Sequence, residues 1–165
     1  MSYVDYQPLD NNLLSTNNFK LVFSDFPKME YFVQRFTFPR VNVEPSSHPS
    51  PFKPIPTPGN QISYESITFT FTISEDLSNY LEIYRWMTKT GTPNSHEEYQ
   101  NVKDIKDCNL IITSNNKNPI LTVKFKDVFP IALSGFELDV TNTEFTPVSA
   151  TAEFVFNTLS FDTNF

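Results

Sequence analysis

From Asn18 onward, apolar and polar residues alternate. In Phe19-Lys20-Leu21-Val22-Phe23, Phe19, Leu21 and Phe23 share one face, and residues 31–38 set Phe32, Gln34, Phe36 and Phe38 opposite Val33, Arg35 and Thr37. A period of two predicts two strands, joined by the turn Asp25-Phe26-Pro27-Lys28. The clearest strand lies within Ile62–Ile73, where Ile67, Phe69, Phe71 and Ile73 alternate with three threonines, so that each residue from 67 to 73 is β-branched or aromatic. The period then changes. Ser74 is suited to cap a helix, Glu75 and Asp76 to complement its dipole, and Leu77, Tyr80, Leu81 and Tyr84 recur at helical spacing. This predicts a helix over 75–89, continued by Met87 and widened by Ile83 and Trp86 into a face for a second sheet or another subunit.

Beyond a polar surface loop at 91–107, Cys108–Thr113 and Ile120–Lys126 read as a hairpin about 114–119. A kinked link at 127–131 leads to a strand at Phe136–Val140. A long last strand, Val148–Phe161, puts Ala150, Ala152, Phe154 and Phe156 on one face. About seven strands around a single helix, without regular βαβ alternation, predict a mainly β domain. Its form is two packed antiparallel sheets, a sandwich or open barrel, with one flanking helix, in a single domain over 1–165. Two segments stand outside the pattern. Residues 1–17 form a polar arm with Leu13 and Leu14 as its apolar anchor. Pro39–Pro58 holds seven prolines in twenty residues, which predicts a long loop over 39–60 with an assembly role.

Composition narrows the chemistry. Seventeen phenylalanines, more than a domain of this size easily hides, favour sheets and leave aromatics for contact with a partner. Three glycines beside 13 prolines argue against a phosphate-cradling loop, and the net charge of −7 against tight binding to nucleic acid. Neither a signal peptide nor an apolar run of membrane-spanning length is present in the sequence. His48 and His96 are isolated from other metal ligands, and Cys108, the single cysteine, follows Asp107, which would raise rather than lower its pKa. Glu97, Glu98, Asp104 and Asp107 lie in hydrated surroundings, and there is no Gly-x-Ser-x-Gly elbow. No catalytic group, cofactor or metal is expected. Three readings stay open: a self-contained sandwich, a subunit that completes a shared sheet, and a glycan-binding module using Trp86 or exposed tyrosines.

The order of features resembles the tail tube proteins of contractile-tailed bacteriophages, which are similar in fold to the tube protein of type VI secretion. The likeness is carried by Asn18–Phe23, Tyr31–Gln34 feeding the proline-rich connection, Ile67–Ile73 running into Ser74–Met87, the Phe129-Pro130 kink before Phe136-Glu137-Leu138, and the aromatic last strand. It implies a tail tube subunit of the virion, assembled in the host cytoplasm and working without a membrane. Hexameric rings would join their inner sheets into one barrel and stack inside a sheath, with a baseplate initiator and a tail terminator as further partners and as alternative identities. Genomic DNA would be a passing cargo. It further implies that Leu13, Leu14, Phe52, Ile55 and Pro56 serve assembly, while helical spacing nominates Leu77, Tyr80, Leu81, Tyr84 and Trp86 as the residues that pack the helix. Glu137, Asp139 and Glu153, on polar faces of expected strands, are candidates for the lumen wall. In much of that family a β-hairpin occupies the place of this proline-loaded loop.

Overall fold

The computed structural model describes residues 13–24, 26, 32–50, 52–91, 105–141 and 143–163. In chain order the elements are β1 (Phe19–Phe23), β2 (Val33–Thr37), β3 (Val41–Val43), β4 (Ser46–His48), β5 (Ile55–Thr57), β6 (Ile62–Tyr64), β7 (Ile67–Thr72) and α1 (Ser78–Gly91). These are followed by β8 (Lys106–Thr113), β9 (Pro119–Leu133), β10 (Ser149–Val155) and β11 (Thr158–Thr163). All pairing is antiparallel.

Two sheets share one strand. The first runs β1-β8-β9-β11, and the second runs β2-β7-β10 and the far end of β9. The strand β9 serves both because it bends. It pairs with β11 through Lys126 and with β8 through Val128; at Asp127 the backbone takes a φ of 57°, and from Phe129 it pairs with β10. The last strand changes sheet too, passing from β10 in one to β11 in the other across Phe156 and Asn157. These crossings make an open barrel.

The alternating faces meet in an aromatic core. Leu21 and Phe23, Ile67, Phe69 and Phe71, Leu110, Val123 and Phe125, and Ala150, Ala152 and Phe154 are all buried. Phe154 is its hub. Its ring stacks on Phe69 at 5.2 Å and meets Phe23 at 5.7 Å and Trp86 at 5.6 Å. The small side chains of Ala150 and Ala152 leave room on the same face for these rings, and each fully buried Phe contributes on the order of 2–3 kcal/mol of transfer free energy.

Several expected elements differ. β1 and β2 are not a hairpin, since β1 pairs with β8 and β2 with β7. The kinked link at 127–131 is strand, and Phe136–Val140 is not. With Phe129 and Val155 paired, the chain spends its β-structure on β9, and residues 135–141 and 143–147 cross the surface without a partner strand. The helix starts at Ser78. Ser74–Leu77 forms a turn before it, closed by the Leu77 N–H donating to the Ser74 carbonyl at 2.9 Å, with Leu77 at a φ of 55°. Asp76 accepts from the Ser78 N–H at 3.1 Å, so the acidic pair stands before the first helical turn instead of within it. Of the 91–107 loop, Gly91 belongs to α1, Lys106 and Asp107 to β8, and 92–104 lie outside the described residues.

Candidate assembly surfaces

The largest departure from expectation is also the most exposed feature. Residues 41–50 and 52–64 are not a loop but the two sides of a β-hairpin. β3 pairs with β6 (Val41 opposite Tyr64, Val43 opposite Ile62) and β4 with β5 (Ser46 opposite Thr57, His48 opposite Ile55). The prolines permit this by position. Pro39, Pro45, Pro49, Pro54 and Pro58 fall between the short strands, and Pro56, opposite Ser47, lacks an N–H and so occupies a pair that exchanges no hydrogen bonds. Gly59 is required by contact, because a Cβ built there would stand 1.7 Å from the Glu44 carbonyl oxygen across the ribbon.

The hairpin's root is tied to the body by rings. Phe38 stacks on Phe161 at 6.4 Å, and Tyr64 meets Phe156 at 5.5 Å. Beyond the root it has no cover. Val41, Val43, Ile55 and Ile62 are exposed, Pro56 likewise, and Phe52 at the tip is 98% exposed. Leu13 and Leu14 are also exposed. Leu14 borders a cavity of about 710 Å³ in the seam where β1 and β2 fail to meet, floored by Phe19, Phe36, Leu110 and Ile112. Residues 1–12 of the arm lie outside the described residues.

The helix faces the core with residues other than most of those its spacing suggested. Trp86 is buried and Tyr80 half-buried, but Leu77, Leu81 and Tyr84 are exposed, and Ile83 and Asn79 take the interior positions. Starting the helix at 78 turns the wide stripe so that 79, 83 and 86 point inward. Asn79 fixes that angle. Its Nδ2 donates to the Thr72 carbonyl at 2.8 Å and its Oδ1 accepts from the Ser74 N–H at 3.1 Å, tying the end of β7 to α1. Nothing in the hydrophobic pattern marked this residue, although a polar residue at the centre of an apolar face was the available signal. Trp86, 3% exposed between Phe26 and Phe154, has no face to offer a sugar ring.

The three nominated carboxylates separate. Glu153 stands on the outer face of the second sheet opposite Thr68, beside a Thr70–Thr151 hydroxyl pair 3.3 Å apart, and accepts a hydrogen bond from Ser66. Glu137 and Asp139 are not on a strand; they lie exposed on 134–148, where Asp139 accepts from the Thr141 hydroxyl at 2.7 Å and the Thr141 N–H at 2.8 Å, bonds that lower its pKa. Cys108 is fully buried, and burial itself, rather than Asp107, pushes its thiol far above the usual range. Asp107 instead accepts the Asp127 N–H at the bend of β9. His48 is exposed on β4, and His96 lies outside the described residues. Among the described residues no three His, Cys, Asp or Glu side chains gather as metal ligands, and no helix is long and apolar enough to cross a membrane.

Both sheets end in uncovered strands among the described residues: β1 and β11 in one, β2 and the 129–133 stretch of β9 in the other. The fold recurs among solved structures. A chain in the anti-feeding prophage baseplate superposes with a TM-score of 0.67 at 12% identity, over 94% of this chain and 98% of that one. This is the Hcp-like tube fold. A chain of the anti-feeding prophage tube-terminating cap matches at 0.66 and 13% identity, over 99% of each. Hcp1 from Flavobacterium johnsoniae matches at 0.53 and 14% identity, over 88% of this chain and 95% of its own. No family model matches the sequence, and no curated protein is recognisably similar to it.

Proposed function

We propose that the protein is a non-enzymatic ring subunit of a contractile tail, forming hexamers that stack into the tube inside a sheath. One observation carries this reading. The second sheet has four strands in the order β2-β7-β10-β9, each antiparallel to the next, and both outer edges lack a partner among the described residues. With an even number of strands the two edges run in opposite directions, so the β9 edge of one copy meets the β2 edge of the next in antiparallel order. The pattern then repeats around a closed ring without a defect. Such closure satisfies edge amides that would otherwise be a hazard for a monomer.

The outer face of that sheet carries Thr68, Thr70, Thr72, Thr151 and Glu153. Turned inward, it would line the bore with hydroxyls, one carboxylate and the Arg35 of β2 that stands opposite Thr70, a wall without the clustered cations that would hold a DNA cargo. Leu13, Leu14, Phe52, Ile55 and Pro56 would then be covered by neighbouring copies, with sheath protein outside and baseplate and terminator at the ends of a virion tail. The solved relatives support such a setting, since one similar chain comes from a sheath–tube complex of an extracellular contractile injection system. Similar chains also come from a baseplate and a tube-terminating cap, which supports a second reading as an initiator or terminator ring of the same tail.

Negative-stain microscopy of the purified protein tests the reading, with six-fold rings or tubes as the expected result. Monomers under every assembly condition, with baseplate present, would overturn it. Copy number per particle separates the two readings, because a tube subunit is present in far larger numbers than a single end ring.

A further inference from the structure

The seam between β1 and β2 has an apolar floor and the start of the described chain at its mouth. Each of the two strands ends its sheet among the described residues, and Phe19, Phe36, Leu110 and Ile112 lie at the base of the 710 Å³ cavity between them. Arg35 stands on the wall, and none of the described residues that line the cavity is acidic. An open strand edge over such a floor pairs with foreign chains unless a loop or segment covers it.

The segment that precedes the seam is placed to be that cover. Residues 1–12 lead into Leu13, and Leu14 already borders the cavity. The point of entry is fixed by a tight turn: the Asn18 N–H donates to the Ser15 carbonyl at 3.1 Å, and the buried Asn18 side chain donates to Asn115 Oδ1 at 2.8 Å. Lys117 Nζ adds bonds to Asn18 Oδ1 at 2.7 Å and to the Asn17 carbonyl at 3.2 Å. Extended, the 12 residues reach about 40 Å, against roughly 17 Å for the five residues of β2.

Their chemistry fits the seam better than the other hollows. Tyr3, Val4, Tyr6 and Leu9 supply apolar groups for the floor, Asp5 and Asp10 supply charge that Arg35 attracts, and the segment holds no Lys or Arg. The apolar groove at Leu138 and Phe145 carries Glu75 on its wall and adjoins Glu137, Asp139 and Glu144, so it repels the same segment. The hollow on the other side of Leu14 is smaller, about 310 Å³, and is walled largely by Thr113, Ser114, Asn115 and Asn116, a poor floor for aromatic rings.

We propose that in the unassembled subunit residues 1–12 lie in the seam of their own chain along the free edge of β2, and that they leave it before a ring closes. This rests on the reading of the protein as a ring subunit, in which the same edge pairs with β9 of the next copy. One edge cannot hold both partners, so the segment opposes closure between free subunits and keeps them apart until assembly begins.

Hydrogen exchange in the full chain, kept below the concentration at which it assembles, tests the cover. The seam-facing amides of β2 are expected to be protected in the wild type and to exchange about tenfold faster in two variants. One carries Tyr3→Ser, Val4→Ser, Tyr6→Ser and Leu9→Ser, the other Asp5→Lys and Asp10→Lys, with circular dichroism confirming that each is folded. Both are expected to form rings at lower protein concentration than the wild type, followed by light scattering and microscopy. Equal exchange in wild type and variants overturns the cover, and protection that grows with protein concentration overturns it by assigning the edge to a second copy. Faster exchange with an unchanged assembly threshold overturns the opposition to closure. If exchange responds as expected but neither wild type nor variant ever forms rings, the cover stands and the ring reading falls.

Discussion

Single residues decide more here than their types suggest. Cys108 read as a structural cysteine from its neighbours, but the physical cause of its inertness is the closed core around it. That has a pH consequence with a definite sign. Burial raises the folded thiol's pKa far above the roughly 8.5 of an unfolded one, so only the unfolded chain ionises as pH rises past that value. Cys108 therefore leaves stability unaffected below about pH 8 and lowers it by about 1.4 kcal/mol per pH unit above 9. Denaturant titrations at pH 7, 9 and 10 should show Cys108→Val losing less stability than the wild type on going alkaline. Equal slopes would place the thiol in contact with water. At the hub of the rings, Phe154→Ala is expected to cost about 3–5 kcal/mol, read from the shift in urea midpoint followed by Trp86 fluorescence.

At the scale of elements, strand faces were legible and element boundaries were not. Period-two alternation marked β1, β7 and β10 because each has one face in the core and one outside. The same logic failed at Phe136–Val140, where alternation exists without a partner strand to pair with. It failed again at Leu77, Leu81 and Tyr84, because helical spacing is satisfied by a wide stripe and only the entry angle selects which part of it turns inward. Asn79 sets that angle. Asn79→Ala would leave the Thr72 carbonyl and the Ser74 N–H without their partner in a buried position, at a cost of about 2–4 kcal/mol; a thermal midpoint unchanged within error would show that the turn holds itself. The hairpin makes the complementary case. Gly59→Ala forces the ribbon apart at Glu44 and should suppress ring stacking while leaving the melting of the body unchanged, whereas Gly135→Ala, with open space around it, should do neither.

The whole molecule joins a self-sufficient core to surfaces that are not self-sufficient. The body buries its rings, while the hairpin, the 134–148 crossing and Leu13-Leu14 present large apolar groups to water. A net charge of −7 keeps copies apart at low salt. Association driven by apolar burial is strengthened by sulfate, and salt also screens the repulsion. Sedimentation velocity should show larger assemblies as ammonium sulfate increases; dissociation instead would mean that ion pairs dominate the contacts.

What the sequence by itself determined is the class and the chemistry left out of it. Alternation, aromatic content and the scarcity of glycine are local properties, and they suffice for a β-rich domain with one helix and without a recognisable catalytic motif. Tertiary structure decided how strands pair, because pairing depends on residues far apart in the chain: β1 with β8, β2 with β7, and a single β9 bent at Asp127 to serve two sheets. It also decided the proline-rich segment. Seven prolines argue against an inner strand wherever an N–H is needed, but a two-stranded ribbon asks for an N–H only at alternate positions, and where Pro56 falls relative to Ser47 is a matter of register. Register is set by the partner strand, so the same prolines that read as a loop in one dimension are compatible with a stiff arm in three.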